Sequence, residues 1–121
     1  MAKKVLIIDD EKNIRTMLSK CLQDDYEVTT AVNGEDGLEK FKEDDFNLVL
    51  LDMKMPGMDG TQVLSKLKEL DEQVEVVMIT AYGTIETAVE CMKEGACDYL
   101  RKPFTPEEIR KIVGEVLDRQ E

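Results

Sequence analysis

The chain has 121 residues, of which 42% are apolar, 27 are acidic and 16 are basic, for a formal charge of −11. That length and apolar content suit one domain, residues 1–121, folded around one core. The acidic balance argues against a nucleic-acid-binding or membrane-surface protein, both of which need clustered Lys and Arg. It suits a soluble protein that binds cations or basic surfaces, although most of these charges read equally well as an ordinary solvated surface. No apolar run approaches a membrane span. Met1-Ala2-Lys3-Lys4 leads straight into a strand without the apolar region of a signal peptide, so cytoplasmic residence is the expectation. Cys21, Cys91 and Cys97 are odd in number and lack CxxC spacing, which argues for reduced thiols, with Cys21 on a core face. Histidine is absent, so neither a His triad nor a His metal ligand can form within the chain.

Val5-Leu6-Ile7-Ile8 reads as a buried strand that ends at Asp9-Asp10-Glu11. A helix follows, with Ile14, Met17, Leu18, Cys21 and Leu22 on one stripe,. Tyr26 to Ala31 is a weaker strand with polar residues interleaved. Asn33-Gly34 signals a turn, and Leu38 and Phe41 mark a second helix. Leu48-Val49-Leu50-Leu51-Asp52 is an apolar run closed by a carboxylate, the pattern of a strand buried on both faces. The Pro56-Gly57 turn follows. A third helix after Gly60 places Val63, Leu64, Leu67 and Leu70 inward. Val74 to Ile79 is a fourth strand leading into Thr80-Ala81-Tyr82-Gly83. The next helix is expected to bury Ile85, Ala88, Val89 and Met92 and to end at Gly95 in a left-handed C-cap. Asp98 to Arg101 is a short fifth strand. After Lys102-Pro103-Phe104, Thr105, Pro106 and Glu108 have the spacing of an N-cap, a first-turn proline and a capping box. The last helix carries Ile109, Ile112, Val113, Val116 and Leu117.

Five strands alternating with five helices predict an α/β, doubly wound (βα)5 flavodoxin-like fold with a parallel sheet. The first, third and fourth strands are continuous apolar runs and belong in the centre; the second and fifth belong at the edges. With right-handed crossovers this gives the order 2-1-3-4-5. The topological switch point then lies between the first and third strands, and ligands bind outside the carboxyl ends there. Those ends carry Asp9, Asp10 and Asp52, with Thr80 on the next strand and Lys102 after the fifth.

Converging carboxylates repel and raise one another's pKa. Mg²⁺ resolves the conflict because it takes one or two carboxylates and leaves room for phosphate oxygens. Lys102 adds a positive charge and Thr80 a hydroxyl, which together make an oxyanion-stabilising set of the kind phosphoryl transfer needs. Asp52 is then the nucleophile of an aspartyl phosphate. Each element has a plainer reading: the acids as a helix N-terminus, Thr80 as a strand end or cap, Lys102 as a surface lysine. Their joint occurrence at successive strand ends favours the site.

Across essentially its whole length the chain resembles the receiver domain of two-component response regulators. The motifs are Val5 to Glu11, Leu50 to Gly60, Thr80-Ala81-Tyr82, Gly95 to Leu100 and Lys102-Pro103-Phe104. The resemblance implies Asp52 as phosphoacceptor, Asp10 as a direct Mg²⁺ ligand, Asp9 acting through a metal-bound water, and the backbone carbonyl of Lys54 as a further ligand. It implies that Lys102, Thr80 and the Ala81 amide contact the phosphoryl oxygens, and that the Lys102–Pro103 bond is cis. Thr80 and Tyr99 become the switch, and the fourth helix, fifth strand and fifth helix the output surface. Lys54 and Tyr82 become the positions that tune phosphoryl lifetime; Lys54 reads equally as a solvated lysine facing a kinase. The resemblance implies that the phosphoryl donor is a phosphohistidine on a sensor histidine kinase or histidine phosphotransfer protein. The receiver itself is expected to act as a monomer or a phosphorylation-dependent dimer. Beyond its own phosphorylation and dephosphorylation it is not expected to be an enzyme.

The Leu48 to Gly60 stretch, with Lys54, resembles single-domain phosphorelay intermediates. The Thr80 to Gly83 and Gly95 to Phe104 stretches resemble receivers of sigma-factor-dependent activators. A stand-alone receiver and one excised from a longer activator are both open readings. Outside this family, a flavodoxin-like electron carrier would need a phosphate-binding loop where Asp9-Asp10-Glu11 stands. A Mg²⁺-dependent aspartyl-phosphatase would need a second acid where Asp52-Met53-Lys54 has lysine.

Overall fold

In the computed structural model, which describes residues 2–81 and 84–119, strands and helices alternate along the whole chain. The strands are β1 (Lys4–Ile8), β2 (Glu27–Ala31), β3 (Leu48–Asp52), β4 (Glu75–Thr80) and β5 (Asp98–Arg101). The helices are α1 (Lys12–Leu22), α2 (Gly34–Glu43), α3 (Gly60–Leu70), α4 (Ile85–Lys93) and α5 (Pro106–Asp118). All strand pairs are parallel and the order is β2-β1-β3-β4-β5, as the strand compositions predict. Every residue of β3 is buried, whereas β2 and β5 are mostly half-buried or exposed.

Alternation along the strands divides the core in two. Val5, Ile7, Leu48, Leu50, Val77 and Ile79 meet α1 and α5 through residues such as Leu18, Leu22, Ile109 and Val113. Leu6, Ile8, Val49, Leu51, Val76 and Met78 meet the other three helices through Leu38, Phe41, Leu64, Leu67 and Cys91. Each fully buried aliphatic side chain contributes about 1.5–3 kcal/mol, which fixes the strand register and so the position of every strand end. The three cysteines are free, with Cys21 buried against the α1–α5 layer. No described helix is long and apolar enough to cross a membrane.

Local chemistry sets the helix boundaries. Asn33 is the N-cap of α2 and accepts from the Asp36 amide at 2.8 Å, so the Asn33-Gly34 signal marks a helix start. Thr105 and Glu108 form the capping box of α5, with Pro106 in the first turn. Gly95 has φ +111°. Its amide donates to the Met92 carbonyl at 3.2 Å, and the Ala96 amide donates to that of Cys91 at 3.0 Å, the two bonds of a Schellman C-cap. Two strands start one residue late. The Tyr26 amide closes α1 by donating to the Leu22 carbonyl at 3.0 Å, and the Val74 amide donates to that of Asp71 at 3.3 Å.

The inward face expected for α4 is corrected. Ile85 is 85% exposed, Val89 46% and Met92 45%; Ala88 is half-buried and Cys91 is the buried residue of the helix. The stripe is regular, but α4 docks on the sheet through the neighbouring face. Leu70 is likewise 48% exposed, because it ends α3 at a surface groove shared with Phe41, Phe46 and Asp71.

Candidate functional site

Asp9 follows β1 directly and its amide donates to the Ala31 carbonyl at the end of β2, at 3.2 Å. Its side chain is 1% exposed, and its Oδ1 accepts from the Glu11 amide at 2.8 Å. Arg15 on α1 reaches back to donate to the Asp9 carbonyl at 2.8 Å. These bonds hold the turn so that Asp9 points inward while Asp10 and Glu11 stay exposed.

Asp52 closes β3 in register with Ile79 and is 4% exposed. The loop after it is anchored by two buried side chains, Met53 and Met55. The Met53 amide donates to the Ile79 carbonyl at 3.0 Å, and the Gly60 amide to the Met53 carbonyl at 2.9 Å. Only glycine fits at the start of α3: a Cβ there would stand 2.6 Å from the Asp52 carbonyl oxygen and 2.6 Å from the Met53 Cα. Lys54 is exposed, and its amide lies 3.4 Å from Asp52 Oδ1.

Thr80 is fully buried at the end of β4, one residue beyond the partner of Asp52. Its carbonyl accepts from the Lys102 amide at 2.8 Å, which ties the chain after β5 to the same end of the sheet. The Lys102–Pro103 peptide is cis. The Lys102 side chain is 9% exposed, and its Nζ lies 3.1 Å from Asp9 Oδ2, 3.3 Å from Glu11 Oε1 and 3.7 Å from Asp52 Oδ2.

The structure thus gathers Asp9, Asp10, Asp52 and Lys102, and places Thr80 on the adjoining strand end. Tyr99 lies elsewhere. It pairs with Met78 across β5 and packs on the core beneath α2, α3 and α4. Its hydroxyl is buried without a hydrogen-bond partner among the described residues. Ala81 is exposed, and Tyr82 lies outside the described residues. Two contacts escaped the sequence reading. Glu11 pairs with Lys102, and Arg15 holds the Asp9 carbonyl. The i,i+4 spacing of Glu11 and Arg15 was the available signal, but it suggests a bond between those two.

The electrostatics are those of an anionic cluster short of positive charge. Burial and then the Asp9 carboxylate push the Asp52 carboxyl up to about 7, against the pull of Lys102. Burial also raises Asp9, despite the Glu11 amide and Lys102. Burial works against the Lys102 charge, but Asp9, Asp52 and Glu11 outweigh it and hold the ammonium pKa above the usual lysine value. One carboxylate oxygen from each of Asp9, Asp10, Glu11 and Asp52 lies within 4.8 Å of the other three. A Mg²⁺ octahedron with bonds of about 2.0–2.1 Å spans about 4 Å between opposite oxygens and takes one or two carboxylates plus waters, so an all-oxygen cluster of this width suits that ion after a shift of under an ångström. Asp10 and Glu11 are exposed, so the cluster opens to solvent on their side.

The family model of the response regulator receiver domain matches residues 5–114. The chain is 39% identical over 118 residues to the sporulation initiation phosphotransferase F of Bacillus subtilis, covering 97% of this chain and 95% of that protein. It is also 39% identical to the regulatory protein AtoC of Escherichia coli, of which it spans 26%. Among solved structures, a CheY-like receiver domain protein from Methanospirillum hungatei JF-1 superposes with a TM-score of 0.95 at 35% identity, covering 99% of this chain and 97% of that one. NtrX from Brucella abortus gives 0.92 at 33% identity, covering 98% of this chain and 28% of that one. The chain belongs to the response regulator receiver domain family.

Proposed function

We infer that the domain accepts a phosphoryl group on Asp52 from a phosphohistidine of a sensor histidine kinase or histidine phosphotransfer protein. The observation that carries this reading is the convergence of Asp52, Asp9 and Lys102 at the ends of three strands, with Lys102 Nζ within 3.7 Å of the acceptor carboxylate. An ionised Asp52 oxygen attacks phosphorus in line with the departing imidazole nitrogen; the new O–P bond forms as the N–P bond breaks, and the imidazole leaves neutral or takes a proton from solvent. Asp9, Asp10, Asp52 and the Lys54 carbonyl would hold the metal. Mg²⁺, when bound, supplies positive charge to the phosphoryl oxygens and relieves the repulsion among the acids. Lys102, the Thr80 hydroxyl and the Ala81 amide take the remaining oxygens. The catalytic groups belong to the receiver, so small phosphodonors also serve.

Thr80 reports the phosphoryl group by moving toward it, and Tyr99 follows. The buried Tyr99 hydroxyl supports this, because the ring already lies against the core beneath α4. The readout surface is α4, β5 and α5, where Ile85, Val89 and Met92 form an exposed apolar stripe that an output domain or protein covers. Two settings fit the same chemistry: a cytoplasmic relay intermediate, as the name of the Bacillus relative suggests, and the receiver of a longer regulator such as AtoC. Incubation with acetyl phosphate and Mg²⁺ tests the reading. The wild type gains the mass of one phosphoryl group and Asp52→Ala does not; equal labelling of the two proteins would refute Asp52 as acceptor.

A further inference from the structure

Lys102 does not rest on the acceptor carboxylate. Its ammonium lies closer to Asp9 Oδ2 (3.1 Å) and Glu11 Oε1 (3.3 Å) than to Asp52 Oδ2 (3.7 Å), so it is drawn to the β1 side of the crevice. Glu11 occupies the N-cap position of α1, yet its side chain makes no capping bond and turns to the lysine instead. Asp9 closes the arrangement. One of its oxygens takes the Glu11 amide at 2.8 Å while the other takes Lys102. Asp9, Glu11 and Lys102 therefore form a closed clasp of three groups.

We propose that Glu11 is a positioning residue that parks Lys102 on the β1 side and competes with the incoming phosphoryl group for it. This rests on the reading of Asp52 as phosphoacceptor. For Lys102 to reach a phosphoryl oxygen on Asp52 it must leave both partners. A cation bound to Asp9 removes one of them; Glu11, 60% exposed, remains as the residual brake. Cation binding and lysine release are thereby coupled through Asp9, and the side chain at position 11 sets how readily the lysine turns.

Beryllofluoride, a phosphoryl mimic, tests this at saturating Mg²⁺, with affinity read from amide NMR titrations. Glu11→Gln is expected to bind it about two- to five-fold more tightly than wild type, the range of a solvent-exposed ion pair. Glu11→Asp keeps the charge but shortens the reach, and is expected to behave like Glu11→Gln. If Glu11 acted only through its field on the incoming anion, Glu11→Asp would match the wild type instead. In a Lys102→Ala background the gain from Glu11→Gln is expected to vanish. Unchanged affinity in Glu11→Gln, a wild-type affinity in Glu11→Asp, or an undiminished gain without Lys102 would each overturn the clasp. A wild type that binds no beryllofluoride refutes the phosphoacceptor reading, and the clasp with it. Wild-type binding with unaltered variants refutes the clasp alone.

Discussion

Replacing Asp52 by asparagine is expected to stabilise the metal-free domain above neutral pH. The side chain is 4% exposed, and burial together with Asp9 lifts its pKa from 3.8 to about 7. A raised carboxyl pKa means that the folded state holds a proton that the unfolded chain releases. Between about pH 4 and pH 7 stability therefore falls as pH rises, and beyond pH 7 the whole penalty is present. The gap of about 3 pH units, at about 1.4 kcal/mol each, sets a ceiling of roughly 4 kcal/mol. Asparagine removes that charge but also takes an anion from Lys102, which lies 3.7 Å away, so a net gain of about 1–3 kcal/mol is expected at pH 8. Urea unfolding followed by far-UV circular dichroism measures it, since the chain has no tryptophan. In EDTA at pH 8, Asp52→Asn should have the higher midpoint, and its advantage should shrink at pH 5. Added Mg²⁺ should narrow the gap by stabilising the wild type more. A variant no more stable than wild type at pH 8 in EDTA, or an advantage equally large at pH 5, would refute the argument that uncompensated charge at Asp52 strains the site.

Gly60→Ala should cost about 1–3 kcal/mol in the same assay, because its Cβ meets backbone of Asp52 and Met53 at 2.6 Å,. Gly57→Ala has φ +82° but open space around it, so about 1 kcal/mol from conformation alone is expected; equal losses at the two sites would refute the steric reading of Gly60. Thr80→Ala should still take up phosphoryl from acetyl phosphate while its conformational response weakens. Equal affinity of the phosphorylated variant and phosphorylated wild type for an output partner would count against Thr80 as the reporter. If the exposed Lys54 shields the path of a hydrolytic water, phosphoryl loss from Asp52 should be slow and should quicken several-fold in Lys54→Ala. Wild-type loss within seconds in a dephosphorylation time course would contradict the shielding.

The sheet was legible because its signal is redundant. Leu48 to Leu51 can be buried on two faces only inside a parallel sheet, and once β1, β3 and β4 are central the order follows from crossover handedness. The placement of Asp52 was legible for the same reason: a strand whose apolar run ends on it must deliver that carboxylate to the sheet's carboxyl edge. The direction of α4 was not. Ile85, Val89 and Met92 recur at i, i+4 and i+7, and that period says only that they share a face. The docking face is the one that carries Cys91, which enters the core together with Ala96 just beyond the Gly95 turn. An amphipathic period thus fixes the phase of a helix and leaves its orientation to the neighbours.

Lys102 shows the same limit at a charged group. Its place after β5, beside a strand ending in Thr80, assigns it correctly to the crevice, and chemistry alone then pairs it with a phosphate. A nearly buried ammonium cannot wait unpaired for a ligand, however. With no phosphoryl group on Asp52 it takes the anions within reach, and the turn geometry of Asp9 and Glu11 puts theirs nearest. The identity of the resting partner depends on tenths of an ångström set by the β1–α1 turn, which no spacing rule encodes. On the phosphoacceptor reading proposed above, the resting contact and the working contact of this lysine are two different pairs; a cation on Asp9 would loosen only half of the first, and Glu11 would still hold the other half.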